Sequence, residues 1–275
     1  MAKDLVVWCG PIFSAGSSPY KDGGEIGDVQ WVNPTTIISV PCNGSACAGM
    51  VQKSADGRML QNLLTARGAG DVSDYATIAL AGYSAGHNLM NPMLLADGDL
   101  IDAMISIDAC YSTTNPPWTK SGYVAFGTEA ALGNKLMVLM ATGSSHGGMG
   151  LSYSSGSECA GANFDAAVAA AGVTPEPIDA GLVYPPTTSM RAGDLVLLDY
   201  ALQKFSGQLP HFDAVNLLSE DVFQTYLAPY LGGERRGALG GYAAPLGVPW
   251  WGWALGVAGI LGAGAAGVAV ARRRK

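Results

Sequence analysis

The sequence predicts an α/β fold in which a mostly parallel β-sheet is flanked by helices, with a hydrophobic helix added at the C-terminus. Three observations predict it. Short runs rich in Val, Ile, Leu and Met recur along residues 1–231, and helical stretches separate them. Strands buried on both faces of a parallel sheet have this continuous apolar character. The last forty residues differ, because an uncharged apolar segment precedes a cluster of cations.

Six runs are predicted as strands because turn residues bound each of them, and a sheet of six or seven strands is expected. The predicted strands are residues 4–9, 36–40, 76–81, 103–107, 135–141 and 195–200. The predicted helices are residues 54–66, 84–95, 160–171 and 220–231. This alternation implies right-handed crossovers between parallel strands. Residues 122–133 and 174–191 are predicted as loops, the second covering the carboxyl edge of the sheet.

The tail has the features of a membrane span. Residues 250–271 carry no charge and would extend about 33 Å as a helix, enough to cross a hydrocarbon core of roughly 30 Å. Tryptophans cluster at one end and residues 272–275 are all cationic. The predicted organisation is a domain at 1–231, a Gly/Pro-rich linker at 232–249, a transmembrane helix at 250–271 and a basic tail at 272–275. The alternative is a buried hydrophobic hairpin of a soluble or virion protein.

The tail also predicts partners and location. Small residues four apart, at Gly259, Ala263 and Gly267, allow close helix–helix approach in lipid and hence self-association. The positive-inside rule places the basic end in the cytoplasm and the domain outside. The N-terminus lacks a signal-peptide pattern, which favours the domain inside. Both sides of the membrane stay open at this point.

Composition narrows the class of protein. The chain is 49% hydrophobic and 13% charged, which excludes an intrinsically disordered protein. With 15 basic against 22 acidic residues its net charge is −7, so nucleic acid is not expected as a partner. Cys42 and Cys47 bracket a short loop and can pair in an oxidising compartment, whereas Cys9, Cys110 and Cys159 are expected to stand alone. No metal site and no cofactor is expected.

The sharpest motif is Gly-Tyr-Ser-Ala-Gly at residues 82–86, directly after the predicted strand 76–81. A G-x-S-x-G sequence between a strand and a helix is typical of a nucleophile elbow, in which a strained turn presents the serine at the carboxyl edge of the sheet. The flanking glycines then make room for the neighbouring strand and helix. Ser84 is therefore a candidate nucleophile. The alternative is a glycine-rich turn with a bystander serine.

A serine nucleophile needs a base, and the chain has three histidines. His87 is three residues after Ser84 on the same helix, so its side chain is expected to point away from the hydroxyl. His146 follows the predicted strand 135–141 and should lie near the carboxyl edge. His211 lies between the last predicted strand and the closing helix.

On this elbow and this closing segment, residues 4–231 resemble the α/β-hydrolase superfamily, in particular its small cutinase- and lipase-like members. The resemblance implies a catalytic triad in the order Ser, acid, His, with His211 as base and His146 as the alternative. It implies an acid at the end of the strand after the elbow strand, which is Asp108; Glu158, beyond the next strand, is the alternative. It also implies an oxyanion hole formed by the backbone N–H of Ala85.

A second oxyanion donor would come from the loop after the first strand. Pro11 has no N–H, so Ile12 is the candidate. The chain departs from the superfamily there, because Cys9-Gly10 replaces the common His-Gly.

The implied function is a membrane-anchored serine esterase or lipase that acts through an acyl-enzyme. The alternatives are a catalytically silent hydrolase fold used for binding or virion structure, and a haloperoxidase- or acyltransferase-like use of the same triad.

Overall fold

The computed structural model describes residues 3–11, 29–42, 51, 53–111, 118–143, 155–201, 203, 214 and 218–233. All of them belong to one compact unit, Met1–Ala238. The predicted transmembrane helix and basic tail lie outside the described residues. Among the helices that are described, none has the length and apolar character needed to cross a membrane.

Eight described strands form one sheet. They are β1 (Lys3–Pro11), β2 (Thr35–Cys42), β3 (Tyr75–Tyr83), β4 (Ala103–Ile107), β5 (Leu136–Ala141), β6 (Glu176–Pro177), β7 (Thr188–Ala192) and β8 (Leu195–Asp199). Their order is β2-β1-β3-β4-β5-β8-β7-β6. The first six strands in that order are parallel, and β7 and β6 are antiparallel additions.

The predicted α/β class and mostly parallel sheet are confirmed, and all six predicted strands exist. The expected count of six or seven strands is wrong, because β6 and all of β7 but its last residue lie in the segment predicted as a loop. Their side chains are mostly exposed or half-buried, so they lack the continuous apolar run that marks a parallel strand.

The two outermost strands of the described sheet are β2 and β6. Each contains a proline, Pro41 in β2 and Pro177 in β6. Proline has no N–H to donate to a ladder and is found in sheets essentially at edges.

Five helices accompany the strands within the described residues, besides two short 3₁₀ turns. They are α1 (Leu60–Arg67), α2 (His87–Asp97), α3 (Ser121–Ala131), α4 (Gly156–Ala171) and α5, which runs through Ser219–Val222, a π turn at Phe223–Leu227 and Ala228–Leu231. The four predicted helices exist, although α1 begins six residues later than expected.

The prediction of a loop at residues 122–133 is wrong, because α3 occupies this segment. Its glycines serve close packing and not a turn: a Cβ on Gly122 would lie 2.6 Å from the Asn91 carbonyl oxygen of α2. A Cβ on Gly127 would lie 2.9 Å from the Ala167 side chain of α4. Two glycines therefore let α3 approach both neighbouring helices.

The helices cover both faces of the sheet. Buried side chains of α1 to α4 share one hydrophobic core with one face, and α5 shares a second core with the other face. On that second face the Phe223 ring packs edge-on against Trp8 of β1, with ring centroids 5.9 Å apart. The connections that contain α1 to α4 all move across the sheet in the same direction, from β2 toward β8. Right-handed crossovers that move in one direction place their helices on the same face, which is where α1 to α4 lie.

The prediction that Cys110 and Cys159 stand alone is wrong. They form a disulfide between the segment after β4 and helix α4, 49 residues apart in sequence. No local spacing signals such a pair, because only the packing of α4 against α3 and the neighbouring strands brings the two together. Cys42 is also disulfide-bonded, to a partner outside the described residues, where Cys47 also lies. Cys9 is a buried free thiol.

Candidate functional site

The strand order creates a crevice between β1 and β3. From β1 the chain continues to β2 on one side, whereas from β3 it continues to β4 on the other side. Open parallel sheets bind ligands at such a switch point, beyond the carboxyl ends of the strands, because the connections diverge there. Ser84 is the first residue after β3 and so stands at this crevice.

Ser84 has the backbone conformation of a sharp turn. Its φ is 52°, in the left-handed region that non-glycine residues seldom occupy. A 3₁₀ turn, Ser84–Gly86, follows and leads directly into α2. The Ser84 side chain is largely buried, whereas Ala85 is half-buried.

The two glycines of the motif are required by β1. A Cβ on Gly82 would lie 2.8 Å from the Cys9 carbonyl oxygen, and one on Gly86 would overlap that same oxygen. A Cβ on Gly82 would also lie 2.5 Å from the Met90 sulfur of α2. The geometry agrees with the expectation that the glycines make room for the neighbouring strand and helix.

Asp108 lies beside Ser84, directly after the next strand of the sheet. Tyr83 pairs with Ile107, so Ser84 and Asp108 are the first residues beyond paired ends of β3 and β4. Asp108 also has a positive φ, 43°, and its side chain is 1% exposed. A buried carboxylate requires compensating hydrogen bonds.

Three described hydrogen bonds meet that requirement. The Thr142 N–H donates to Oδ1 of Asp108 at 2.9 Å, and the Thr142 hydroxyl donates to Oδ2 at 2.8 Å. The Tyr111 hydroxyl donates to Oδ2 at 2.8 Å. A carboxylate has about four acceptor positions, and these three donors fix the orientation of the Asp108 carboxylate.

The first turn of α4 closes against Asp108. A Cβ on Gly156 would overlap Oδ1 of Asp108, so only glycine allows this approach. The Ser157 N–H donates to the Thr142 carbonyl oxygen at 3.1 Å. Together with the Cys110–Cys159 disulfide, these contacts join the segment that carries the acid to both β5 and α4.

His87 is joined to the backbone of the elbow. Its Nδ1 lies 2.9 Å from the Ser84 carbonyl oxygen. Because a carbonyl oxygen only accepts, Nδ1 must carry the hydrogen in this contact. The His87 ring also lies next to Tyr111, with ring centroids 6.0 Å apart.

Glu158, the alternative acid, caps a helix. Its carboxylate accepts from the Ser155 N–H at 2.7 Å, and its own N–H donates to the Ser155 hydroxyl at 3.1 Å. This reciprocal pair is the capping box of α4. The Ser-x-x-Glu spacing at residues 155–158 is the sequence signature of such a capping box. Asp108, the other predicted acid, directly follows the strand end that pairs with the end of β3.

Three predicted site residues, His211, His146 and Ile12, lie outside the described residues. Ala85 contributes an N–H in the first turn before α2, where helix N–H groups lack partners within the helix. Within the described part of the chain, no cluster of His, Cys, Asp or Glu side chains suits a metal ion.

A cleft of about 500 Å³ opens near the far end of α2, about 16 Å along that helix from the elbow. Leu94, Leu95 and Phe126 line it together with Lys135. The Lys135 ammonium donates to the backbone carbonyl oxygens of Gly98 and Ile101, between α2 and β4, and lies over the Phe126 ring. Its charge is therefore already satisfied by the protein, and the cleft is separate from the Ser84 crevice.

No protein-family model, no curated protein and no solved structure matches the chain.

Proposed function

We propose that the chain is a serine hydrolase of the α/β-hydrolase type that cleaves carboxylic esters or lipids. The observation that carries this proposal is the position and conformation of Ser84. It stands at the switch point of a parallel sheet, with φ of 52°, between glycines that β1 requires. Strained backbone in a non-glycine residue persists where the surroundings impose it, and it clusters at functional sites.

The chain order supplies the other members of the triad. Asp108 follows the neighbouring strand, and His211 follows β8, which is the second strand beyond β4. Three strand spacings, about 14 Å, separate β8 from β3. The twelve positions from Asp199 to His211 are long enough to cover that span. His211 is therefore the proposed base and Asp108 the proposed acid, with His146 as the alternative base.

In the proposed reaction the Ser84 oxygen attacks the ester carbonyl carbon while the histidine takes the hydroxyl proton. The Ala85 N–H stabilises the oxyanion of the tetrahedral intermediate, with Ile12 as the proposed second donor. The histidine then returns the proton to the leaving alcohol. Water hydrolyses the acyl-enzyme by the same route, and Asp108 orients the imidazole and stabilises its cation.

The proposal includes a membrane anchor at residues 250–271, with the hydrolase domain outside the cytoplasm. The charge-free apolar segment and the cations at 272–275 support this orientation through the positive-inside rule. Disulfide bonding of Cys42 and of Cys110 with Cys159 supports it independently, because disulfides persist in oxidising compartments.

The test is labelling of the full-length chain with a fluorophosphonate probe, which reacts with activated serines. The Ser84→Ala variant should lose labelling and ester hydrolysis. Ser157→Ala is the matched control. Ser157 is the second residue of α4, and its hydroxyl donates to Asp199. Removal of this other serine hydroxyl should leave labelling intact. Wild-type protein that is folded but unlabelled would favour the catalytically silent module.

The base is tested with His211→Ala and His146→Ala. His211→Ala should lose most activity, and the Ser84→Ala/His211→Ala double variant should be little worse than either single one, because the pair acts as a unit. Loss in His146→Ala alone would transfer the role of base to His146 and leave the hydrolase proposal standing.

A further inference from the structure

Tyr111 makes a contact that the serine hydrolase mechanism does not require. Its hydroxyl donates to Oδ2 of Asp108 at 2.8 Å, in a site where both side chains are almost fully buried. A hydrogen bond to an ionised acceptor in such surroundings is stronger than one between neutral groups. Tyr111 therefore fixes the rotation of the carboxylate and takes up part of its negative charge.

The ring of Tyr111 has a second contact, which leads back to the nucleophile. It lies next to the His87 imidazole, at a centroid separation of 6.0 Å and an angle of 58°, within the range of aromatic pairs. The His87 Nδ1–H in turn donates to the Ser84 carbonyl oxygen at 2.9 Å. A path of side-chain contacts thus joins the acid to the elbow without passing through the base.

We propose that Tyr111 is a positioning residue of this hydrolase, which holds Asp108 in the orientation and with the charge that the base requires. The inference rests on the proposed function, because it assigns Asp108 the role of triad acid. The hydroxyl and the ring have separable roles: the hydroxyl acts on Asp108, and the ring supports His87.

The role predicts a change in pH dependence that a purely structural residue would not cause. Without the phenol donor, Asp108 keeps more of its negative charge for the base. An adjacent negative charge stabilises the imidazolium, so the pKa of the base rises. The acidic limb of kcat/KM, which reports the base of the free enzyme, then moves to higher pH.

The test compares Tyr111→Phe with wild type in the full-length chain, with p-nitrophenyl acetate as substrate. We expect kcat to fall by about ten-fold, the usual effect of losing one hydrogen bond to a charged group, with KM little changed. The acidic limb should move to higher pH. Thr142→Val, which removes the second hydroxyl donor to Oδ2, should move the limb in the same direction.

Tyr123→Phe is the matched control. Tyr123 is equally buried and its hydroxyl also bonds to this segment, but to the Ala109 carbonyl oxygen at 2.9 Å and not to the carboxylate. It should leave the position of the acidic limb unchanged, even if the melting temperature falls. Melting temperatures of all variants separate loss of folding from loss of positioning.

Two outcomes would overturn the inference, and they are distinguishable. If wild type reacts with fluorophosphonate at Ser84 but Tyr111→Phe has the wild-type pH profile, or shifts no more than Tyr123→Phe, Tyr111 has no positioning role and the hydrolase stands. If folded wild type is neither labelled nor active, the proposed function fails and the inference fails with it.

Discussion

Four non-glycine residues of the described chain have positive φ: Ser84, Asp108, Trp118 and Ala201. All four lie in segments that leave the carboxyl ends of strands or lead from them into a helix. Each such residue costs on the order of 1–3 kcal/mol, which the surrounding packing must offset. Backbone strain is thus concentrated on the side of the sheet where Ser84 and Asp108 meet.

Gly86, the second glycine of the elbow, gives a prediction for a single residue. Gly86→Ala should lower the free energy of unfolding by at least about 2 kcal/mol, because the new Cβ overlaps the Cys9 backbone, which cannot move aside. Gly161→Ala in α4 is the control. Nothing lies within 4 Å of its new Cβ, so it should stabilise the protein by up to about 1 kcal/mol. Urea denaturation measures both, and equal effects would contradict this account.

Asp4 gives a prediction about pH. It is fully buried; Oδ2 accepts from Asn33, and Oδ1 has no hydrogen-bond partner within the described structure. Burial raises the pKa of Asp4, and the charge of Asp102 adds to this, while hydrogen bonds from Asn33 and Thr77 oppose it. The folded state therefore keeps a proton that the unfolded state loses as pH rises above the ordinary value of 3.8.

Stability from Asp4 is consequently present at low pH and is lost as pH rises through its folded pKa. In Asp4→Asn this loss is absent. Above about pH 4, wild type should therefore lose stability relative to Asp4→Asn as the pH rises. The difference in unfolding free energy, variant minus wild type, should increase with pH. Asp165→Asn, which removes an exposed carboxylate of α4, controls for the loss of one charge. A difference that stays flat with pH would contradict the prediction.

At the scale of elements, the sequence was most informative where one physical signal dominated. The strands β4 and β5 were predicted correctly because all of their residues are buried and all but Ser106 are apolar. Ser84 was found from its G-x-S-x-G motif, and Asp108 because the resemblance implied an acid at the end of the strand after the elbow strand. Thr142, the first residue after β5, lies at the same edge of the parallel sheet and was overlooked.

The remaining elements lacked such a signal. The glycines of α3 suggested a loop because their packing partners, Asn91 and Ala167, belong to other helices. Tyr111 follows Asp108 by three residues in a segment without periodicity, so only the fold reveals its contact with the carboxylate. The long-range pairing of Cys110 with Cys159 was invisible for the same reason.

The Cys110–Cys159 disulfide gives a prediction about stability at the scale of elements. It closes a loop of 49 residues and removes conformational freedom from the unfolded chain. The chain-entropy relation gives about 4 kcal/mol for a loop of this length. Cys110→Ala should therefore lower the free energy of unfolding by about that amount, measured by urea denaturation without reductant. Cys159→Ala should act alike, with the double variant no worse; losses below about 1 kcal/mol would contradict the prediction.

For the whole molecule, the prediction concerns the tail. Removal of all residues after Gly233 should give a soluble protein that retains Ser84 labelling, because the proposed catalytic residues all precede that point. The full-length chain should sediment with membranes and resist carbonate extraction, since an exposed apolar helix of this size is a liability in water. Full-length protein that stays soluble without detergent would refute the anchor.

The prolines of the two outer strands have a consequence for self-association. Unpaired strand edges can recruit strands from other molecules and so seed cross-β aggregates. Here Pro41 interrupts the donors of β2, and β6 is only two residues long and ends in Pro177. In the described sheet, the proline near the end of β2 and the shortness of β6 each limit the template for an incoming strand. Concentrated solutions of the domain should resist fibril formation, and any oligomers should form through helices instead of through an extended sheet.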